Sequence, residues 1–241
     1  MSVVPQKIRI LKYTAEQGAV SLEDVVAHLK DAQSSSSIRV SMHQMGLGRM
    51  KYGKVRHGVW FIKDQGHIDE VQSYFPQMPP VSPASGIPIP QIPHFLELNR
   101  IRNVFDNSTS FKVAEWIPEA VLKSLPVSQR DGFNSSNIPD AVFWRIKTDG
   151  SRQKYFLEFE RSLKNSARYK DIFTTYSRRK DIGHKNVIYI CKDDALKDRL
   201  RRIEQKLAES GYLDAFGKYF QFVTLKGFYK TCGCEHPQEE E

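Results

Sequence analysis

Apolar residues recur at helical spacing in three successive stretches near the start of the chain, and this pattern predicts three amphipathic helices. The first is predicted over residues 6–16. The second begins at a capping pattern, in which Ser21 is followed three residues later by Asp24. The third is predicted over residues 36–45. The pattern then changes to a hairpin with basic and glycine residues, predicted over residues 50–62.

Three helices followed by a hairpin predict a winged helix over residues 1–75, in which the third helix enters the major groove of DNA and the hairpin contacts the backbone. The candidates for reading base edges are Arg39, His43 and Gln44. The candidates for contacting phosphates are Lys51, Lys54 and Arg56. The alternative is a protein-docking module whose basic hairpin is merely solvated.

Residues 76–93 contain seven prolines, which predicts an extended connector between two domains. The second domain is then residues 94–241, and a helix over residues 94–105 opens it. Two apolar segments follow, residues 141–146 and 154–159, and the turn residues Thr148–Gly150 between them predict a β-hairpin. Further strands and helices alternate after the hairpin, so we expect an α/β fold.

The hairpin carries three carboxylates. Glu158 and Glu160 are two residues apart and share one face of a strand, and Asp140 can join them from the neighbouring strand. Three converging carboxylates repel one another unless they share a cation. Mg²⁺ or Mn²⁺ is the natural candidate, because hard ions prefer oxygen ligands and can activate water at a phosphate. The alternative is that these acids form the solvated face of a strand.

The stretch after the hairpin is the most basic part of the chain. We expect Arg161 and Lys170 to neutralise charge on a phosphate as its P–O bond breaks. Five further residues are predicted to contact DNA: Lys164, Arg168, Arg178, Arg179 and Lys180. A purely solvated basic face is the alternative. The formal net charge of +8 and the pI near 9.3 favour a polyanionic partner.

Other classes of protein are disfavoured. The longest apolar runs fall short of the ~18 residues that span a bilayer and no signal peptide begins the chain, so we expect a cytoplasmic protein with no membrane contact. Three cysteines do not make a secreted disulfide framework. The segment Cys232–His236 offers three zinc ligands where a structural site needs four. The seven histidines include no His-x-His pair, and Tyr169 and Tyr176 have core spacing, which argues against histidine-triad relaxases with a covalent tyrosine.

The order Pro139-Asp140, short hairpin, Glu158–Glu160 and helix resembles the PD-(D/E)XK nuclease motif. Glu160 stands where that motif usually has lysine, as in the E-x-E variant of some restriction endonucleases, so the general base stays open. Within this superfamily the chain resembles relaxases of the MOBC class. The features that carry this likeness are the N-terminal winged helix, His94–Arg100, Trp116–Glu119, Pro139–Ala141, Phe156–Glu160 and the helix Lys170–Tyr176.

The resemblance implies an N-terminal winged helix and a C-terminal PD-(D/E)XK restriction-endonuclease-like α/β domain. It implies nicking of one DNA strand at a plasmid transfer origin, with an accessory mobilization protein and a coupling protein as partners. Glu97 or Glu119 could join the metal site, although surface roles are favoured for both. Two rivals remain: a DNA-binding plasmid protein without catalysis, and a restriction-like enzyme that cuts both strands. The sequence specifies neither the target nor the oligomeric state.

Overall fold

The structure, a computed structural model, describes residues 4–30, 34–53, 55–79, 81–108, 111–130, 132–135 and 137–234. Helices and strands are mixed along the chain, which confirms the α/β prediction. The chain divides into two compact units, Met1–Asp106 with Pro118–Gly132, and Asn107–Ile117 with Phe133–Glu241. Two residues named in the sequence analysis lie outside the described residues: Lys54, a predicted phosphate contact, and His236, which was considered as a zinc ligand.

The first unit begins with three helices and a two-stranded antiparallel sheet, in the predicted order. Its elements are α1 (Gln6–Gln17), α2 (Leu22–Leu29), α3 (Ser35–Gln44), β1 (Gly48–Met50), β2 (Val59–Phe61), α4 (Gln65–Tyr74), α5 (Ile92–Asn107) and α6 (Glu119–Ser124). The last residue of α5 belongs to the second unit. The three helices therefore form where the hydrophobic pattern predicted them, whereas the first strand of the hairpin begins at Gly48, two residues earlier than predicted.

The predicted capping pattern at the start of α2 is confirmed and joins a buried hydrogen-bond network. The Ser21 hydroxyl accepts a hydrogen bond from the Asp24 backbone N–H, and the Asp24 carboxylate accepts one from the Ser21 backbone N–H. Asn99 of α5 donates from Nδ2 to the Ala19 carbonyl at 2.7 Å and to Asp24 Oδ2 at 3.2 Å. Asn103 donates to the Asp24 carbonyl. The network therefore fastens α5 to α2.

The proline-rich segment was predicted to be an extended connector, whereas the structure packs it into the first unit. Val81 and Ile87 are buried, and the Ala84 N–H donates to the Ile62 carbonyl at 2.8 Å. Ile87 shares a core with Ile92 at the start of α5 and with residues of the β-hairpin. The apolar residues between the prolines explain this packing, because removing their side chains from water lowers the free energy of the folded state. Most of α5 consequently belongs to the first unit rather than to a domain beginning at residue 94.

The described residues of the second unit contain one five-stranded mixed sheet. Its strands are β3 (Val113–Pro118), β4 (Ala141–Ile146), β5 (Arg152–Glu160), β6 (Val187–Cys191) and β7 (Phe220–Thr224), and they lie in that order across the sheet. Its helices are α7 (Ser166–Ser177), α8 (Asp194–Glu209) and α9 (Leu225–Thr231). Strands β4 and β5 pair antiparallel, whereas β5, β6 and β7 are parallel. The predicted hairpin is thus confirmed.

Local sequence explains both the hairpin and the packing of α7. The Gly150 N–H donates to the Lys147 carbonyl, and Gly150 has a φ of +80°, a conformation that a residue with a side chain rarely adopts. Asn165 caps the first turn of α7 by accepting from the Arg168 N–H. The aromatic ring of Phe173 then stacks on that of Phe220. Helix α7 therefore covers the face of the sheet that carries Phe220.

A search of the described helices for a membrane span gave none that combines sufficient length with sufficient apolar character.

We expect that replacing Asn99 with Ala lowers the free energy of unfolding by about 2 kcal/mol, because the change leaves the buried Ala19 carbonyl and the Asp24 carboxylate short of a donor. Urea denaturation of the purified protein measures this difference.

Lys123→Ala is the control on a surface helix of the same unit. Lys123 pairs with Glu119 on α6, so its loss should change the free energy of unfolding by less than about 0.5 kcal/mol. Equal urea midpoints for the two variants would contradict the structural role of Asn99.

Candidate functional site

Two of the predicted acids lie opposite each other on neighbouring strands. Ala141 of β4 pairs with Leu157 of β5, so the preceding residue, Asp140, is opposite Glu158. Directly opposite residues of an antiparallel pair share one face of the sheet. The Asp140 carboxylate also accepts a 2.6 Å hydrogen bond from the Phe159 N–H, which fixes it at the end of the hairpin. The strand register therefore brings together the carboxylates that the sequence placed on separate strands.

Glu158 is almost completely buried, with an exposed fraction of 8%. Burial raises the pKa of its carboxyl from 4.5 to about 8, and the nearby charge of Asp140 acts in the same direction. The Tyr176 hydroxyl of α7 donates to Glu158 Oε1 at 2.6 Å and partly opposes this shift. Glu158 consequently binds its proton more tightly than an exposed glutamate does.

Glu160, the last residue of β5, has a basic partner. Its Oε2 accepts a 2.6 Å hydrogen bond from Lys164 Nζ, and the carboxylate is buried whereas the lysine side chain is 42% exposed. Although burial alone lowers the pKa of Lys164, the charges of Glu160, Glu158 and Asp140 outweigh it, so the net pKa is raised. Lys164 thus stays cationic and interacts with the whole acidic cluster, which we define as Asp140, Glu158 and Glu160.

Buried phenols surround the acidic cluster. Tyr169 of α7 accepts from the Lys164 N–H, and burial together with the charge of Glu160 raises the pKa of the Tyr169 hydroxyl. Tyr189 of β6 pairs with Glu158 in the parallel register. The Tyr189 hydroxyl is fully buried and has no hydrogen-bond partner among the described residues. A buried hydroxyl without a protein partner is the kind of polar group that a buried water satisfies.

The acidic cluster consists of carboxylates, which are the ligands of hard cations, but its three side chains are not arranged around one point. Within the described residues, no group of three or more His, Cys, Asp and Glu side chains is placed to hold a metal ion. Asp140 and Glu158 nevertheless offer carboxylate oxygens at one point of the sheet, and their mutual repulsion is what a divalent cation would relieve. Carboxylate oxygens are the ligand type that hard cations such as Mg²⁺ and Mn²⁺ prefer.

The two cations that were predicted to neutralise phosphate charge lie in different surroundings. Arg161 is exposed in the loop that follows β5. Lys170 projects from α7, and its ammonium lies 3.4 Å from the centroid of the Tyr212 ring. A cation that does contact the acidic cluster is Lys164, for which the sequence predicted only DNA contact.

The remaining basic residues around α7 divide into structural and exposed ones. Arg179 forms two hydrogen bonds with Asp181, and its guanidinium lies 4.1 Å from the centroid of the Phe133 ring. Arg168 donates to Asn137 Oδ1 at 2.8 Å. Arg178 and Lys180 are exposed. Arg178 and Lys180 are consequently more accessible to a ligand in solution than Arg179 is.

The first unit exposes most of the residues predicted to contact DNA. His43 and Gln44 are exposed on α3, Arg39 is half-buried there, and Lys51 and Arg56 are exposed in the hairpin connection. The His43 ring also packs edge-on against the buried Trp60. An additional basic residue, Arg49 of β1, was not predicted. It donates to the His57 carbonyl and lies over the Trp60 ring, so it shapes the hairpin.

Glu97 and Glu119, the further candidates for a metal site, belong to the first unit. Glu97 pairs with Arg100, and Glu119 pairs with Lys123 at 2.7 Å. Both carboxylates thus have surface partners on their own helices.

Sequence reasoning missed the connection between Lys164 and Glu160 and the roles of three tyrosines. A spacing of four residues hinted at the lysine pair, although these residues lie on a strand end and a loop rather than on one helix. Tyr169 and Tyr176 are buried as predicted, but their hydroxyl contacts depend on how α7 crosses the sheet. Tyr189 reaches the site only through the parallel register of β6.

Comparisons of the chain with protein-family models, with curated proteins and with solved structures gave no match.

Replacing Glu158 with Gln is expected to stabilise the protein increasingly as the pH rises. A carboxyl whose pKa is higher in the folded state than in the unfolded chain binds more protons when folded, so stability falls as the pH rises from about 5 to about 8. Glutamine keeps an acceptor for Tyr176 and cannot ionise. Relative to about pH 5, the variant should gain on the order of 2 kcal/mol of unfolding free energy by about pH 8.5, measured by urea denaturation.

Glu209→Gln is the control, because Glu209 is an exposed glutamate of α8 in the same unit. Its effect on stability should be nearly independent of pH over this range. A flat profile for Glu158→Gln as well would show that Glu158 does not titrate differently in the folded and unfolded states.

Proposed function

We propose that the protein is a metal-dependent DNA endonuclease that nicks one strand, with the acidic cluster as its active site. The observation that carries the proposal is the convergence of Asp140 and Glu158 from adjacent strands, with Glu160 and its partner Lys164 at the same end of β5. Carboxylates of this kind hold Mg²⁺ or Mn²⁺ beside a phosphate. The basic net charge supports a nucleic-acid substrate.

The residues of the cluster have distinct proposed tasks. Asp140 and Glu158 would hold the cation, which would supply polarisation of the phosphate and a lowered pKa for a bound water. Tyr176 orients the Glu158 carboxylate through its 2.6 Å hydrogen bond. Lys164 holds Glu160 and presents a positive charge to the phosphate, a task that the sequence alone assigned to Arg161 and Lys170.

The first unit supports a DNA-binding role of the winged-helix type. Helix α3 exposes His43 and Gln44, and the hairpin connection exposes Lys51 and Arg56. Polar side chains on a helix can read base edges, whereas basic residues of a hairpin contact phosphates. The proposed division of labour is recognition by the first unit and cleavage by the second.

The sequence likeness to MOBC-class relaxases and to the PD-(D/E)XK fold makes the proposal more specific. The hairpin with its acids and the following helix α7 occur in the order that the likeness implies. We therefore propose cleavage at a plasmid transfer origin in the cytoplasm, together with an accessory mobilization protein and a coupling protein.

A second function, DNA binding without cleavage, is favoured by one specific observation. Each carboxylate of the cluster already has a protein partner: the Phe159 N–H for Asp140, Tyr176 for Glu158 and Lys164 for Glu160. A plasmid replication or regulatory protein that kept such a cluster only for stability would have the same contacts.

The deciding experiment incubates the purified protein with a supercoiled plasmid that carries its cognate transfer origin. We expect open circles with Mg²⁺ or Mn²⁺, intact supercoils with EDTA, and a rate at least about 100-fold lower for Glu158→Ala or Asp140→Ala. Glu209→Ala, which removes an exposed acid of the same unit, should cut at the normal rate. Gel electrophoresis resolves the three forms of the plasmid.

Each other product pattern identifies a rival. Metal-dependent nicking by the double variant Asp140→Ala Glu158→Ala would place the active site elsewhere. Intact supercoils under every condition, together with a retained gel shift, would establish the binding function. Linear plasmid as the first product would indicate a restriction-like enzyme.

Lys164→Met is expected to lower the nicking rate at saturating DNA about 100-fold, because it removes the charge beside Glu160. Lys180→Met, which removes an exposed lysine after α7, should weaken DNA binding while leaving the rate at saturation nearly unchanged. Single-turnover rates over a range of protein concentrations separate the two effects. If Lys164→Met weakens DNA binding and leaves the nicking rate at saturation unchanged, as expected for Lys180→Met, then Lys164 only contacts DNA.

A further inference from the structure

The segment between α8 and β7 exposes two aromatic side chains. Among the described residues of the second unit, the large hydrophobic side chains that are substantially exposed are Leu163, Tyr212 and Phe216. The exposed fractions are 50% for Tyr212 and 48% for Phe216. Both lie in the ten residues 210–219, which we name the aromatic loop. About half of each side chain is therefore accessible to another molecule.

The aromatic loop is held firmly despite its irregular backbone. Leu213 is buried, and the Tyr212 N–H donates to the Leu207 carbonyl at 2.9 Å. The Gly217 N–H donates at 2.9 Å to Oε1 of Glu204, a glutamate of α8 whose exposed fraction is 1%. A buried carboxylate thus serves to fix a loop that presents aromatic rings. Fixing the rings before binding reduces the entropy that a ligand must remove.

Basic side chains lie beside the aromatic loop. The Lys170 ammonium lies 3.4 Å from the centroid of the Tyr212 ring. Helix α8, which leads directly into the loop, exposes four basic residues, Arg199, Arg201, Arg202 and Lys206, against three acidic ones, Asp194, Asp198 and Glu209. Exposed rings among positive charges are the combination with which proteins bind single-stranded nucleic acids, because the rings stack on bases and the charges follow the backbone.

We propose that Tyr212 and Phe216 form a stacking platform for the unpaired bases of single-stranded DNA. Rings on a loop can stack only on bases whose faces are open, and in a duplex neighbouring base pairs cover those faces. The Lys170 ammonium over the Tyr212 ring and the exposed Lys206 in the last turn of α8 favour a nucleic acid over an apolar protein partner. Lys170 leaves the Tyr212 ring for a phosphate when a base stacks there.

The platform connects to the acidic cluster through α7. Lys170 directly follows Tyr169, whose hydroxyl accepts from the Lys164 N–H, and Tyr176 of the same helix donates to Glu158. The inference therefore rests on the proposed function and adds the form of the substrate: the nuclease would hold a single-stranded segment of its target. A strand separated near the cleavage site has this form.

The test measures binding of a fluorescein-labelled oligothymidylate by fluorescence anisotropy, with EDTA present so that no cleavage is needed. We expect Tyr212→Ala and Phe216→Ala each to weaken single-strand binding about 5- to 100-fold, as for loss of one stacked base. Binding of a labelled duplex of mixed sequence should change less than about twofold. Tyr212→Trp and Phe216→Trp retain a stacking ring and should keep the affinity.

Tyr74→Ala is the matched control, because Tyr74 ends α4 in the first unit and has a similar exposed fraction of 47%. It should leave single-strand binding unchanged. Equal weakening of single-strand and duplex binding, an equal effect of Tyr74→Ala, or unchanged binding by both aromatic-loop alanine variants would each overturn the platform. Circular dichroism establishes that each variant is folded.

The outcome is independent of cleavage. If the alanine variants lose single-strand affinity and the wild type never nicks DNA, the platform stands and the nuclease function fails. If the wild type nicks DNA and the variants bind single strands normally, the nuclease stands and the platform fails.

Discussion

The carboxylates of Asp140 and Glu158 lie opposite each other on adjacent strands, and the arrangement of the second unit compensates for their charges. Burial of Glu158 makes its ionised form costly and raises its pKa to about 8. Tyr176 donates to this carboxylate from α7, and Lys164 contributes a positive charge through Glu160. A proton, a lysine or a divalent cation can each stabilise the cluster. The stability of the acidic cluster and the proposed chemistry therefore depend on the same carboxylates.

Helix α7 links the parts of the second unit that the proposals involve. Its buried rings pack on the sheet, its Tyr169 and Tyr176 hydroxyls contact Lys164 and Glu158, and Lys170 lies over Tyr212. One amphipathic helix thus covers the core, orients two polar groups and connects to an exposed aromatic ring. The first unit has a comparable internal link, because Asn99 joins α5 to the cap of α2.

Several elements were predictable because their signals are local. The Ser21–Asp24 cap, the turn at Gly150 and the strand Ala141–Ile146 depend on neighbouring residues and formed where predicted. The proline-rich segment was less predictable, since prolines indicate an extended backbone but not where the intervening apolar side chains are buried. Ile87 and Ile92 share a core with the β-hairpin, which placed most of α5 in the first unit.

The sequence by itself determined the class of fold, the hairpin and the period-2 spacing that puts Glu158 and Glu160 on one face. It also predicted that Asp140 joins them from the neighbouring strand, whereas the tertiary structure decided the exact register and which other groups meet those acids. The strand register set Asp140 and Tyr189 beside Glu158, and the loop after β5 turned Lys164 towards Glu160. Helix and strand signals arise from neighbours along the chain. Contacts between a strand, a loop and a crossing helix depend on packing across many residues, and periodicity does not encode them.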